Sequence, residues 1–291
     1  MTRFVFILST VAALSVLAAS GCKSDAAPDG TTSPVTVSMP GFASSMDWLS
    51  RPESPFQKEV FSAQTDQADN NGNPDDDPDE YYYIESIYWQ VRNVSDGHTD
   101  GLVLLTIDDV PNEETTAGFL EVLDDFDVRA LFFINGDLSE ENPHLVEKIL
   151  EDGHQIGNHT WHHRSLIRLN REQTIDEITR VNEWLKEKFD YKPAYFRPPY
   201  GLSTPASDSV AAAHGMMNMG WSVGTYDWVY PEDEDIEENS PEIARRTVNA
   251  MMDGGIILIH DLPVSLAALP LILEELIEEG YHFVDPGRLA N

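Results

Sequence analysis

The chain has 291 residues and one cysteine, Cys22, so it can form no intramolecular disulfide and no metal site built from several thiolates. Basic side chains are scarce too: 18 Lys and Arg stand against 51 Asp and Glu, a formal net charge of −33. That deficit argues against a nucleic acid or an anionic membrane surface as partner. Two readings of the acidic excess stay open, a solvated surface that keeps the chain soluble or attraction to a cationic polymer. Apolar residues are not scarce. At 41% of the chain they suffice for one large domain, or one domain with an extension.

The N-terminus stands apart from the rest. Arg3 gives a short basic start, Phe4 to Ala18 is almost wholly apolar, and Ala19, Ser20 and Gly21 lead into Cys22. Residues 1–22 therefore read as a bacterial export signal, too short and weakly flanked for a membrane-spanning helix. The end of this signal resembles a lipobox. That implies acylation of Cys22 and a membrane-anchored lipoprotein at the cell envelope; cleavage to a secreted protein, or an uncleaved anchor, are the alternatives. Residues 23–40, rich in Ser, Thr, Pro, Ala and Gly, read as a flexible tether.

Residues 41–97 form an irregular N-terminal extension. It begins with scattered aromatics such as Phe42, Trp48, Phe56 and Phe61, and continues into the acidic stretch 66–80. Asp69, Asn71 and Asn73 there have the spacing of calcium-loop ligands, but the bidentate Glu of an EF-hand is missing, and an acidic disordered loop is expected. The aromatic, β-branched run 81–94 predicts one or two strands.

From Gly101 the pattern becomes regular. Strand-like apolar runs cover 102–107, 130–134, 154–157, 194–197, 217–223, 256–260 and 282–284. Helical periodicity fills 116–126, 143–151, 171–189, 207–214, 241–252 and 266–279. Such alternation predicts an α/β domain over 98–291 with a buried parallel sheet, and seven strands approach the number that closes a barrel. In such folds catalytic groups gather at the C-terminal strand ends. Asp108, Asp109, Arg197, Asp227 and His260 all lie at or just past such ends.

Each polar motif has an ordinary explanation by itself. Asp108-Asp109 could be a solvated turn, although the run Leu102–Thr106 buries its approach. His159 and His163 are four apart, so a helical turn starting at Thr160 would put them on one face, able to share a metal; His162 blurs that register. Arg197 precedes Pro198 and Pro199, which make a rigid exit from its strand, suited to an Arg that orients a carboxylate. Asp227-Trp228 offers a carboxylate beside a flat apolar wall, and His260 ends an apolar strand where a polar group needs a partner. Together they supply the parts for one divalent metal and for acid–base hydrolysis around it.

In this order the motifs resemble the polysaccharide deacetylase family, the NodB-homology or carbohydrate esterase family 4 group. The resemblance runs over about 101–289 and is helped by the runs Ala130–Gly136, Gly153–Thr160 and Glu278–Val284. It implies a distorted (β/α)7-type barrel of parallel strands. It also implies a metal triad of Asp109, His159 and His163, with His162 a bystander. Asp108 is then similar to the catalytic base, Arg197 to the residue that positions it, His260 to the general acid, and Asp227 to the carboxylate that orients that acid. Tyr200 matches the place whose backbone N–H stabilises the oxyanion, and Trp228 and Leu258 resemble walls of the substrate groove and acetyl pocket.

The implied activity is hydrolysis of N-acetyl groups from a GlcNAc-containing polysaccharide by water activated on one divalent ion. Zinc suits two His and one Asp; cobalt and nickel are the alternatives. The weighed alternatives are an O-acetyl esterase of the xylan type, a small-amide hydrolase, and a surface carbohydrate-binding lipoprotein without turnover. Two positions depart from the family's pattern. Val110 follows the Asp pair where Gly is usual, and would be strained if that position needs φ > 0. Gly224 stands where an Asp is common.

Overall fold

The computed structural model describes residues 81–230 and 235–290. The export signal with Cys22, the tether and the acidic stretch fall outside the described residues. Among those described, no helix is long and apolar enough to cross a membrane.

The aromatic run 81–94 folds into a hairpin of β1 (Tyr82–Glu85) and β2 (Gln90–Asn93). The parallel strands follow: β3 (Leu102–Val110), β4 (Leu131–Ile134), β5 (Gln155–Asn158), β6 (Tyr195–Phe196), β7 (Met217–Asn218), β8 (Val223–Gly224) and β9 (Gly255–His260). They hydrogen-bond in the order β8-β9-β3-β4-β5-β6-β7, a curled sheet of seven parallel strands, with β2 antiparallel to the start of β9. Helices α1 (Thr116–Asp125), α2 (Gly136–Glu141), α3 (Pro143–Glu151), α4 (Arg171–Phe189), α5 (Pro205–Ala213), α6 (Ile236–Ala250) and α7 (Pro263–Glu278) provide the crossovers. This is the expected (β/α)7-type architecture.

Strand alternation sorts the core into two layers. Val103, Leu105 and Ile107 of β3, with Phe132, Ile134, Ile257 and Ile259, pack outward against helix residues such as Phe119, Leu120, Ile243 and Leu269. Leu102, Leu104, Leu131, Phe133, Tyr195 and Ile256 face inward and meet Tyr82, Ile84 and Val91 of the hairpin. Continuing the inward series past Leu104 gives Thr106 and then Asp108; past Tyr195 it gives Arg197; past Ile256 it gives Leu258 and His260. Apolar residues therefore plug one end of the curl and polar ones line the other, at the C-terminal strand ends.

One expected strand is two. The run 217–223 breaks into β7 and β8, and no pairing joins these two among the described residues. Gly220 in the gap receives the Trp89 ring where a side chain would stand, a Cβ there lying 2.5 Å from Trp89 Cε2. The final run gives only β10 (His282–Phe283), which pairs with the first residues of β3. The sheet thus reaches seven curled strands by splitting one run and leaving the last at its side.

Candidate active site

The site begins with an irregularity in β3. Ile107 pairs with Phe132, but the next pair is Val110 with Ile134, so β3 carries one extra residue. Such a bulge re-aims side chains that a regular strand would send to opposite faces. Asp109 takes φ +61°, a conformation Asp tolerates better than most residues. Val110 returns to the ladder, fully buried. The condition for strain at Val110, a positive φ there, is not met, because the positive φ falls one residue earlier, at Asp109.

Asp109 then meets two imidazoles. Its Oδ1 is 3.6 Å from His159 Nε2 and 3.4 Å from His163 Nε2. One ligand atom from each of the three residues lies within 4.8 Å of the others. The Asp109 Oδ1 atom is buried and has no hydrogen-bond partner among the described residues. A buried carboxylate oxygen left alone between two imidazoles costs free energy unless something binds it, so the donor set fits a divalent cation. His159 Nδ1 donates to the Arg197 carbonyl at 2.7 Å, which leaves the Nε2 lone pair for a metal. Burial pushes the His163 imidazole below its usual range, with the Asp109 charge opposing; that favours the neutral ligand form.

The two histidines do not share a helical face. Residues 159–163 form an irregular loop, bent at Trp161 and His162, with Thr160 at φ +71° and His163 at φ +50°. Asn158 Oδ1 accepts from the Thr160 amide, and the buried Glu177 of α4 accepts from the His162 amide and from His162 Nδ1, each at 2.8 Å. His162 is therefore held away from the triad by Glu177.

Arg197 is fully buried. Its Nη1 donates to Asp108 Oδ1 at 2.7 Å and to Thr106 Oγ1 at 2.8 Å. Its Nε and Nη2 donate to the carbonyls of Met219 and Gly220, in the gap between β7 and β8. Asp108 Oδ2 stands 3.7 Å from His159 Nε2, beside the metal triad. On the other flank His260 Nδ1 donates to Asp227 Oδ1 at 2.8 Å. Asp227 is also buried and accepts from the His260 amide and from the Ser265 hydroxyl at 2.7 Å each. Burial lowers the basicity of His260, but the bond to Asp227 and the charges of Asp227, Asp108 and Asp109 outweigh it and raise the pKa to about 9. Burial pushes the Asp227 carboxyl up, yet its His260 and Ser265 bonds prevail and hold it below the usual carboxylate range.

The remaining expected residues border this centre. Tyr200 sits in a left-handed turn at φ +62°, exposed, its ring centroid 4.8 Å from that of His163. Trp228 is exposed and its ring meets His260 edge-on at 5.3 Å, while Leu258 is buried on the inner face of β9. Gly224 lies under an aromatic group: a Cβ there would meet Trp228, Trp221 and Tyr226 at 3.4 to 3.7 Å. Sequence reasoning missed Thr106, Ser265 and Tyr226. Hydroxyl groups inside apolar runs give little signal, although Tyr226 is adjacent to a residue that was found.

A family model described as polysaccharide deacetylase matches residues 95–219. The chain is 33% identical over 196 residues to the peptidoglycan-N-acetylglucosamine deacetylase PgdA of Listeria monocytogenes, covering 67% of this chain and 40% of that protein. It therefore spans well under two thirds of the length of that relative. A peptidoglycan-N-acetylglucosamine deacetylase of Bacillus cereus is 31% identical over 209 residues, covering 70% of this chain and 92% of the relative. Among solved structures, a carbohydrate esterase family 4 pseudoenzyme from Bacillus anthracis superposes with TM-score 0.60 at 26% identity, covering 67% of each chain.

Proposed function

The chain belongs to the polysaccharide deacetylase family, and we propose that it removes N-acetyl groups from a GlcNAc-containing polysaccharide with the help of one divalent ion. The observation that carries this is the buried Asp109 Oδ1, which has no hydrogen bond among the described residues and lies between His159 and His163, flanked by the Asp108–Arg197 and Asp227–His260 pairs. The names of the relatives favour a peptidoglycan-like N-acetylated polymer as substrate.

Asp109, His159 and His163 would hold the ion. Zinc fits this donor set, with cobalt or nickel also suited, and when bound it would polarise the acetyl carbonyl and acidify a water. Asp108 accepts the proton of the attacking water, and Arg197 holds its carboxylate in one orientation by a charge-assisted bond. The Tyr200 backbone N–H donates to the oxyanion that forms at the acetyl carbon. His260 delivers a proton to the departing nitrogen, since an amine anion cannot leave at neutral pH. Asp227 keeps that imidazole charged, with its pKa raised to about 9, so the proton to be donated is held ready at neutral pH.

Zinc titration of the metal-free protein tests the ligand set. His159→Ala and His163→Ala are each expected to lose stoichiometric zinc, and full occupancy in either would overturn it. Acetate release from N-acetylglucosamine oligomers, compared with acetylated xylan, tests the bond cleaved; a preference for xylan would favour the ester. Tyr226, half exposed and 5.0 Å from Trp228, extends an aromatic wall next to His260. Tyr226→Ala is expected to raise KM for oligomers by roughly 2–10-fold with little change in kcat, the worth of one aromatic contact. At the N-terminus, acylation of Cys22 would tether the enzyme where such polymers lie. Mass spectrometry of the membrane-extracted protein checks this, and an unmodified Cys22 would contradict it.

A further inference from the structure

The carboxylate directly after His260 has no part in the chemistry above, yet it is densely bonded. Asp261 is buried. Its Oδ1 accepts from Thr115 Oγ1 at 2.6 Å, and its Oδ2 accepts from the Asn112 amide at 3.1 Å and from the Thr116 hydroxyl. Its own amide donates to the Asp108 carbonyl at 3.1 Å, and its carbonyl accepts from Asn112 Nδ2 at 3.1 Å. All of these partners lie in 108–116, the segment that leaves β3 and enters α1.

Thr115 sharpens the point. It is the N-cap of α1, where a Thr side chain ordinarily accepts from an amide of the first turn. Here it makes no side-chain cap bond, and its hydroxyl donates to Asp261 instead. The parallel ladder between β3 and β9 ends with Asp108 opposite His260. Asp261 carries the connection one residue further, at the place where the proton acceptor and the proton donor must keep a fixed separation.

We propose that Asp261 is a positioning residue that sets Asp108 and His260 relative to one another. This rests on the reaction proposed above. The test compares wild type with Asp261→Asn, Thr115→Val and Thr115→Ser in acetate release from N-acetylglucosamine oligomers, in zinc stoichiometry, and in hydrogen exchange of the Asp261 amide. Small misplacements of reacting groups lower rates steeply, so kcat is expected to fall about tenfold or more in Asp261→Asn and less in Thr115→Val. KM and zinc content stay within about twofold of wild type, and Thr115→Ser, which keeps the hydroxyl, restores kcat. Exchange at the Asp261 amide quickens by about tenfold in Asp261→Asn. A kcat within twofold of wild type, or losses in KM and zinc that match the loss in kcat, would overturn the proposal. Thr115→Val decides it if Asp261→Asn does not fold. Should the wild type release no acetate, the reaction itself is refuted, and unchanged exchange in Asp261→Asn would then refute the tie as well.

Discussion

Asp108→Asn is expected to abolish measurable deacetylation while the protein keeps its metal. Removal of a general base typically costs 10²–10⁴-fold in rate, and the amide that replaces the carboxylate cannot accept the water's proton. The zinc ligands are untouched, so metal analysis of the variant should match wild type; loss of metal instead would contradict the base assignment. The substitution has a second expected effect. Arg197 is fully buried, and Asp108 is the carboxylate that compensates its charge. Asn retains an oxygen acceptor for Nη1 but not the charge, so a stability loss on the order of 1–3 kcal/mol is expected by chemical denaturation. A variant as stable as wild type would mean that Arg197 is compensated in some other way.

Asp227→Asn should act through the acid rather than the base. In the metal-free protein His260 is expected to titrate at about 9, which NMR of its ring protons would report. Without Asp227, burial is no longer outweighed and the titration should move down. At neutral pH less of the imidazole is then charged, so kcat should fall on the order of 10²-fold and the alkaline limb of the pH profile should shift to lower pH. The stability linkage has a definite sign. The His260 pKa is raised on folding, so its contribution is complete below the ordinary value of 6.5 and disappears as pH rises to about 9. Wild type should therefore lose stability over that window, and Asp227→Asn should lose much less. An unmoved His260 titration in the variant would remove Asp227 from its role.

The sequence reveals the parts of this site more clearly than the way they are brought together. Asp108, Arg197, Asp227 and His260 are legible because each interrupts or ends an apolar run, and a buried sheet tolerates a polar residue there only with a partner. The β3 bulge is not legible, since it exists only in the pairing of β3 with β4, and no property of Ile107 to Val110 announces an extra residue. The His159–His163 spacing suggested a helical face. Left-handed turns at Thr160 and His163 bring the rings together instead, and Glu177, from a helix further along the chain, anchors the intervening His162. Pro241 read as the first residue of a helix, whereas α6 starts at Ile236 behind Asp235, whose side chain accepts from the Glu237 and Glu238 amides. Ser265 and Asp261 matter through partners more than thirty residues away, which local pattern cannot show.

Arg197 links chemistry and architecture more tightly than either requires. Between β7 and β8, which no pairing joins among the described residues, its guanidinium reaches the Met219 and Gly220 carbonyls while also gripping Asp108. One side chain is thus both keystone of the ring and steering arm of the reaction. Mutation cannot loosen the first without misdirecting the second, so copies damaged at Arg197 should forfeit turnover together with their shape.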